Sequence, residues 1–138
     1  MKGGGMRAGA IEDQITFLYC SDIRETARFY EKILGFELVV DQGNCRIVRA
    51  AQEGGGYLGY CERLEEKRNS GGILITLVTQ DVDGWYAHLV AMGVRVSDPP
   101  ANNSEYGIYH FFFKDPDGYT LEIQSFLDPD WKAVVEGG

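Results

Sequence analysis

The sequence has little of what several large classes of protein require, above all positive charge. Its 138 residues include 13 Lys or Arg against 21 Asp or Glu, which gives a net charge of -8. Binding to nucleic acid or to an anionic membrane requires a basic surface, so this composition argues against both partners. The sequence also has no hydrophobic run as long as a transmembrane helix, and its first ten residues lack the apolar segment of a signal peptide. We therefore expect a cytoplasmic protein.

Cysteine is scarce as well. Cys20, Cys45 and Cys61 stand far apart in the chain and form no CxxC pair. Disulfide frameworks and zinc sites usually show an even number of cysteines or closely spaced pairs. The pattern therefore favours buried, reduced thiols over a disulfide framework, and also over a catalytic or metal-binding thiol.

What the sequence does contain is an internal duplication. In each half, a strand-like segment is followed by a helix and then by three more strand-like segments. The first helix begins at Ser21 or Asp22 and the second at Asp81, and Gly35 and Gly93 end them. The predicted strands span residues 15–20, 36–41, 45–50 and 57–62 in the first half and 73–78, 94–97, 107–113 and 119–124 in the second. This repeat of a βαβββ unit is the main clue to the fold.

Two tandem βαβββ modules predict an α+β fold. Each four-stranded sheet would carry its helix on one face, and the two remaining faces would enclose a shared cavity. We expect a disordered Gly-rich leader over residues 1–12, one domain over 13–127 with modules at about 13–63 and 72–127, and a tail over 128–138. Residues 63–72 and 98–106 are predicted loops, and the tail is expected to form a helical turn that docks Trp131.

A hairpin near the end of the domain carries an unusual carboxylate. Residues 115–118, Asp-Pro-Asp-Gly, have the composition of a tight turn, and the strand that follows alternates apolar and polar residues. Glu122 stands in the middle of that strand, between Leu121 and Ile123. A carboxylate that points inward from a strand needs water, a hydrogen-bond partner or a metal.

The two halves together resemble the vicinal-oxygen-chelate superfamily, which includes glyoxalase I, the bleomycin-resistance proteins and the extradiol dioxygenases. The matching stretches are SDIRETARFYEKILGFEL in the first half and HFFFKDPDGYTLEI in the second. They are similar to the family's "D…FY…LGF" helix and its "DPDG…LE" hairpin, and the likeness extends from about residue 15 to residue 126. It implies the duplicated fold but no single activity, because one fold hosts many functions.

The resemblance also implies where a metal would bind. In metal-using members, His, Gln or Glu from the first and last strand of each module hold a divalent ion that polarises two adjacent substrate oxygens. Glu122 matches the carboxylate position after the turn, but Ile15 and Leu74 stand at two of the other positions. Aliphatic side chains do not bind cations, so we expect the usual metal site to be absent and no cofactor to be required.

Two further residues are candidate ligands if a divalent metal does bind. The remaining family position falls near Tyr60, and a two-residue slip would make it Glu62. Pairing across a four-residue turn would set Phe111 opposite Glu122, and His110 would then face away from the cavity. A bulge or a one-residue slip would reverse the direction of His110.

Aromatic strand residues and a few polar groups suggest a binding cavity. The candidate ligand-binding residues are Phe17, Tyr19, Tyr60, Thr76, Phe111, Glu122 and Gln124. We predict a metal-free protein that binds a small molecule, with sequestration of a drug or metabolite as the expected role. The alternative is a metal-dependent lyase, isomerase or dioxygenase that uses Glu122 with Glu62 or His110. We also expect a homodimer, because each sheet leaves edges that need cover.

Overall fold

The computed structural model describes Gly9 and residues 13–132. The predicted leader, apart from Gly9, and residues 133–138 of the predicted tail lie outside the described residues. None of the helices in the described part of the chain is long and apolar enough to cross a membrane.

Each half of the described chain folds as a βαβββ module. The first module contains β1 (Ile15–Cys20), α1 (Ile23–Ala27) with a π-helical continuation (Arg28–Ile33), β2 (Glu37–Asp41), β3 (Cys45–Arg49) and β4 (Tyr57–Glu62). The second contains β5 (Leu74–Val78), α2 (Val82–Ala91), β6 (Ala101–Asn103), β7 (Ile108–Lys114) and β8 (Thr120–Phe126). A short 3-10 helix, Glu65–Lys67, lies in the connection between them.

The two sheets have the same topology, which confirms the predicted α+β fold of two tandem modules. The first has the strand order β1-β4-β3-β2 and the second β5-β8-β7-β6. In each sheet the first strand of the module pairs in parallel with the last, and the remaining pairs are antiparallel. The last strand of each module therefore lies inside its sheet, with a paired strand along each of its two edges.

One predicted strand is wrong. Residues 94–97 form only a single bridge, between Val96 and Phe113, and the strand that pairs with β7 is β6, inside the predicted loop. Proline has no amide hydrogen to donate, so regular pairing resumes only after Pro99 and Pro100. Ser97 is held beside β7 by its amide and hydroxyl, which both donate to the Phe112 carbonyl.

Both helices begin and end where the sequence predicted. The Asp22 carboxylate accepts from the Arg24 amide at 3.0 Å, and the Asp81 carboxylate accepts from the Gly84 amide at 3.0 Å. These bonds satisfy amides that have no partner inside the helix. The helices are followed by Gly35 at φ +78° and by Gly93 at φ +76°, a backbone region that favours glycine.

The core lies between the helix-covered faces of the two sheets. The buried strand residues that form it are Leu18, Val48, Leu58 and Tyr60 of the first sheet and Phe111, Phe113, Leu121 and Ile123 of the second. The modules meet through α1 and its continuation, where the Phe29 ring packs 6.2 Å from that of Phe113 and the Tyr30 hydroxyl donates to Asp115 at 2.9 Å.

The opposite face of each sheet, which we call its open face, is exposed in the single chain. On β1 the side chains of Ile15, Phe17 and Tyr19 are 40%, 47% and 39% exposed, and on β5 those of Leu74 and Val78 are 52% and 46% exposed. Within the described part of one chain, the modules therefore pack by their helix-covered faces. The shared cavity that the sequence suggested is not closed by the open faces of one molecule.

The expectation of reduced thiols is wrong for two cysteines. Cys45 and Cys61 are directly opposed on β3 and β4, with Cα atoms 4.1 Å apart, and they form a disulfide on the open face of the first sheet. Cys20 is free and buried, and burial raises the pKa of its thiol. The spacing of the cysteines gave no sign of the pair because only the register of β3 against β4 brings them together.

Candidate functional site

The register of the β7–β8 hairpin determines which residues share a face with Glu122. The last pair before the turn is Lys114 with Thr120, so the connection has five residues rather than the four that the sequence suggested. The Asp115 side chain accepts from the amides of Asp117 at 2.8 Å and Tyr119 at 3.0 Å, which draws Tyr119 into the turn. Every pair along the hairpin is displaced by one residue as a result.

This register overturns the predicted direction of His110. Phe112, not Phe111, is opposite Glu122, and His110 is opposite Gln124. Because side chains alternate along a strand, His110 and Phe112 lie on the open face together with Glu122 and Gln124. The one-residue slip that the sequence left open is the arrangement that the structure has.

Glu122 is the centre of a cluster of polar side chains on the open face of the second sheet. Its carboxylate accepts from the Thr76 hydroxyl at 2.8 Å, and His110 Nδ1 lies 2.6 Å from its other oxygen. With the Gln124 amide turned so that its nitrogen faces the carboxylate, that nitrogen lies 3.1 and 3.2 Å from the two oxygens. We call Thr76, His110, Glu122 and Gln124 the polar cluster.

Two members of the polar cluster, Glu122 and Gln124 on the inner strand β8, are buried. Glu122 is 5% exposed and Gln124 7% exposed, whereas Thr76 on the edge strand β5 is exposed. A buried carboxylate is costly unless its oxygens are hydrogen-bonded. Three donors surround Glu122, so the polar cluster satisfies the carboxylate within the protein.

Within the polar cluster, His110 has a ring nitrogen, Nε2, that is not hydrogen-bonded to the described residues. A carboxylate only accepts hydrogen bonds, so Nδ1 carries the hydrogen of the 2.6 Å contact. Nε2 has no hydrogen-bond partner among the described residues, and it is not among their fully buried unpartnered atoms. The Phe112 ring packs edge-on to the imidazole at 5.0 Å. The open face thus presents an oriented imidazole nitrogen beside an aromatic ring.

Two candidate binding residues lie on the wrong face. Tyr60 is fully buried on the helix-covered face, where its hydroxyl donates to Glu31, and burial raises its pKa. Phe111 is 2% exposed and packs edge-on against Tyr86 of α2 at 5.2 Å. Both are core residues, so their assignment to a ligand site is corrected.

The other candidate binding residues lie on open faces. Phe17 and Tyr19 are on that of the first sheet, and Thr76, Glu122 and Gln124 are on that of the second. Thr76 and Gln124 both contact Glu122, whereas Phe17 and Tyr19 lie apart from them on the first sheet. Phe112 was missed, because the assumed turn length placed it on the helix-covered face.

The candidate metal ligands do not converge. Glu62 accepts from the Ile23 amide at 2.9 Å, at the start of α1. Only His110 lies against Glu122, and the two are joined by a direct hydrogen bond. In the described part of the chain, no three His, Cys, Asp or Glu side chains are grouped as a metal would require. The residues present therefore do not fit the ligand set that the resemblance implied.

A cleft adjoins the polar cluster at the edge of β5. Its volume is about 660 Å³, and it runs between the C-terminal end of the first helical segment and the second sheet. Residues that line it include Phe36, Ala51, Thr76, Val78, Trp85 and Trp131. Trp131 stacks on Phe126 at 4.3 Å, which agrees with the predicted docking of its ring. Thr76 belongs to both features, whereas Leu77, Trp85 and Ile123 line the cleft from the helix-covered side, so the polar cluster and this apolar, aromatic space meet at the edge of β5.

The duplicated fold and the position of Glu122 after the Asp115 turn are those of the superfamily that the sequence resembles. A model of the Glyoxalase/Bleomycin resistance protein/Dioxygenase superfamily matches residues 13–123. That match covers most of the chain, and the chain belongs to this superfamily.

Solved structures with the same fold agree with that assignment. A superfamily member from Sphaerobacter thermophilus DSM 20745 has 27% identity and a TM-score of 0.69, over 84% of this chain and 98% of the other. A glyoxalase/bleomycin resistance protein from Streptomyces sp. CB03234 has 27% identity and a TM-score of 0.64, over 81% and 98%. The structure of a glyoxalase/bleomycin resistance protein/dioxygenase from Nocardioides has the same fold, with 18% identity and a TM-score of 0.70 over 89% of this chain and 88% of the other. No curated protein matches the chain.

Proposed function

We propose that this protein binds a small molecule without a metal, as a drug- or metabolite-sequestering member of its superfamily. The observation that carries the proposal is the state of Glu122. Its two oxygens are bonded by Thr76, His110 and Gln124, so a metal would have to displace hydrogen bonds that satisfy a buried carboxylate. The carboxylate anchors the cluster rather than offering a free ligand.

The surroundings of the cluster support a flat, partly apolar ligand. Phe112 lies beside His110, and the adjoining cleft of about 660 Å³ is large enough for a drug-sized molecule. Its walls include the rings of Phe36, Trp85 and Trp131. Aromatic walls with a few polar groups are typical of small-molecule sites.

We also propose that the protein is a homodimer in solution. The open faces expose Phe17, Tyr19 and Leu74, and the edge strand β2 exposes Val39 and Val40, which are 46% and 39% exposed. Large exposed apolar patches mark interaction surfaces, and unpaired strand edges favour pairing. A second copy of the chain would cover these surfaces and could complete the cavity that one chain leaves open.

The alternative is a metal-dependent lyase, isomerase or dioxygenase. The observation in its favour is that His110 and Glu122 lie on one face and within 2.6 Å of each other. A metal between them would require their hydrogen bond to break and ligands from elsewhere to be supplied. Glu62 is bonded at the start of α1 in the other module and does not supply one.

Metal titration tests the proposal against this alternative. Protein purified without a tag is incubated with Zn²⁺, Ni²⁺, Mn²⁺ or Fe²⁺, and the bound metal is measured for the wild type, Glu122→Ala and the exposed-loop control Glu53→Ala. We expect none of the three proteins to retain stoichiometric metal. Tight binding by the wild type and Glu53→Ala, lost in Glu122→Ala, would overturn the metal-free proposal.

A thermal-shift screen tests binding itself. A compound that binds only the folded protein at a hundred times its Kd stabilises it by about 2.7 kcal/mol. We expect at least one aromatic drug or metabolite to raise the melting temperature equally with and without EDTA. Stabilisation that disappears with EDTA would favour the metal-dependent alternative, and no stabilisation by any compound would argue against a binding protein.

A further inference from the structure

We propose that His110 Nε2 is the specificity-determining acceptor for the hydroxyl of an aromatic ligand, a phenol or an enol, that lies against Phe112. The inference rests on the proposed function, because it names the ligand class for the same open face. It goes further in assigning a hydrogen-bonding role to Nε2 of His110, a residue that the sequence singled out only as a candidate metal ligand.

The imidazole of His110 is held in one orientation by Glu122. Because Glu122 accepts from Nδ1, the hydrogen of a neutral imidazole is placed on Nδ1 and the lone pair on Nε2. Thr76 bonds the other oxygen of Glu122 at 2.8 Å, so the carboxylate is itself held in place. The arrangement presets one tautomer, as partners of functional histidines commonly do.

The Nε2 atom of His110 is available to a ligand on the open face. Nδ1 is hydrogen-bonded to Glu122, whereas Nε2 has no partner among the described residues and is not fully buried. His110 and Phe112 are alternate residues of β7 and share the open face, with their rings 5.0 Å apart. A ligand that bonds to Nε2 is therefore in contact with an aromatic ring.

The surroundings of Nε2 determine the chemistry of the ligand. An imidazole lone pair requires a donor, and the neighbours of His110 on β6 and β7, Ala101 and Phe112, are apolar. The group that satisfies both conditions is a hydroxyl on a flat, apolar ring. A ligand that covers Nε2 without donating to it leaves the acceptor unsatisfied, so the hydroxyl contributes more affinity than its contact area alone would give.

The proposal is tested with three probes that share a ring system: 2-naphthol, 2-methoxynaphthalene and 2-naphthoate. Binding to full-length protein is measured by titration of histidine side-chain ¹⁵N signals. We expect 2-naphthol to bind about tenfold more tightly than its methyl ether and to perturb the His110 Nε2 signal most, the size expected for one hydrogen bond. His110→Phe should bind the two probes equally, while the control His88→Phe keeps the preference.

The possible outcomes separate this inference from the proposed function. Equal binding of naphthol and its ether, at a site that includes Phe112, would overturn the hydroxyl acceptor and leave small-molecule binding intact. Tightest binding of 2-naphthoate would show that Nε2 donates to an anion, which also overturns it. If none of the probes perturbs His110, the inference fails, and the compound screen then decides separately whether the protein binds small molecules.

His110→Phe replaces a partly buried polar group, so a second variant guards against loss of folding. Thr76→Val removes one bond to Glu122 and leaves the imidazole in place. We expect Thr76→Val to retain a naphthol preference, reduced by a few-fold as the carboxylate becomes less fixed. If the preference vanishes in His110→Phe while its melting transition remains cooperative, the acceptor role is supported; an unchanged preference in that variant refutes it.

Discussion

At the scale of single residues, the β7–β8 hairpin contains two buried carboxylates that make different contacts. Glu122 is held by side chains on the open face, whereas Asp115 is held on the other side by Tyr30 and by the amides of its own turn. Asp115 is 2% exposed, and burial raises its pKa in spite of these bonds. One carboxylate therefore fixes the candidate site, and the other fixes the contact between the modules.

Tyr30 gives a prediction about alkaline stability. Burial, followed by the nearby Asp115 charge, raises the pKa of Tyr30 well above its usual value of 10.0. The folded state therefore keeps a proton that the unfolded state loses, and this contribution to stability is full below pH 10 and declines as the pH rises further. We expect the free energy of unfolding to fall above about pH 10.

The matched variants isolate that effect. Tyr30→Phe should lower the free energy of unfolding at pH 7 by about 1–3 kcal/mol, because Asp115 loses a buried donor. It should also weaken the alkaline decline relative to Tyr106→Phe, whose side chain is 69% exposed in the wild type. Urea denaturation from pH 7 to pH 11 measures both. Parallel pH profiles for the two variants would contradict the assignment.

At the scale of secondary-structure elements, the sequence places both helices through their first residues. The carboxylates of Asp22 and Asp81 cap α1 and α2, and glycines follow both helices. These are local interactions within a few residues, so they operate in the same way wherever the helix packs. The helix ends were therefore predicted more accurately than the strand that follows α2.

The cap of α2 gives a prediction on stability. Asp81→Ala removes the acceptor of the Gly84 amide and should destabilise the protein by about 1 kcal/mol. Asp98→Ala is the control, since Asp98 is exposed and lies in the loop that precedes β6. Chemical denaturation of both variants is the measurement. A loss no larger than that of the control would show that the capping bond contributes nothing.

The β3–β4 pair gives a second prediction at this scale. Its disulfide closes a loop with a sequence separation of 16, which corresponds to about 3 kcal/mol on loop-entropy grounds. We expect dithiothreitol to lower the stability of the wild type to that of the double variant Cys45→Ala, Cys61→Ala. The double variant itself should not respond to the reductant. Alkylation and mass measurement under non-reducing conditions should find one free thiol, and three would contradict the pairing.

At the scale of the whole molecule, the duplicated modules pack in a way that leaves their open faces uncovered. The shared core uses the helix-covered faces, so aromatic and aliphatic side chains of β1 and β5 remain exposed. The same arrangement leaves the polar cluster on a face that solvent or a partner can reach. The proposed dimer and the proposed ligand site would therefore use the same surfaces.

This geometry leads to a prediction about oligomeric state. We expect light scattering at micromolar concentration to give the mass of a dimer, about twice 15.4 kDa. Phe17→Asp, on the open face, should shift the mass toward that of the monomer because it places a charge in an apolar interface. Tyr106→Asp, on an exposed loop residue, should remain dimeric. A wild-type protein that is monomeric at that concentration would refute the proposed dimer.

The sequence alone determined the elements that depend on nearby residues. The two modules, the helix caps, the turn at Asp115 and the central position of Glu122 follow from local patterns and from the repeat. Hydrophobic periodicity and capping act over a few residues, so one sequence is sufficient to recognise them. The family resemblance rests on those same segments.

Only the tertiary structure decided which side chains meet. His110 lies on the same face as Glu122 and Phe111 lies on the other face, which is the reverse of the prediction. The turn has one residue more than expected, and this reverses the direction of every side chain on β7 relative to β8. Cys45 meets Cys61 through the register of two strands, and Tyr60 is buried because its position aligns with Leu18 on β1. Side-chain direction has a period of two along a strand, so an error of one residue in register reverses it. The sequence therefore placed the candidate site at Glu122, but the residues that surround Glu122 depended on the fold.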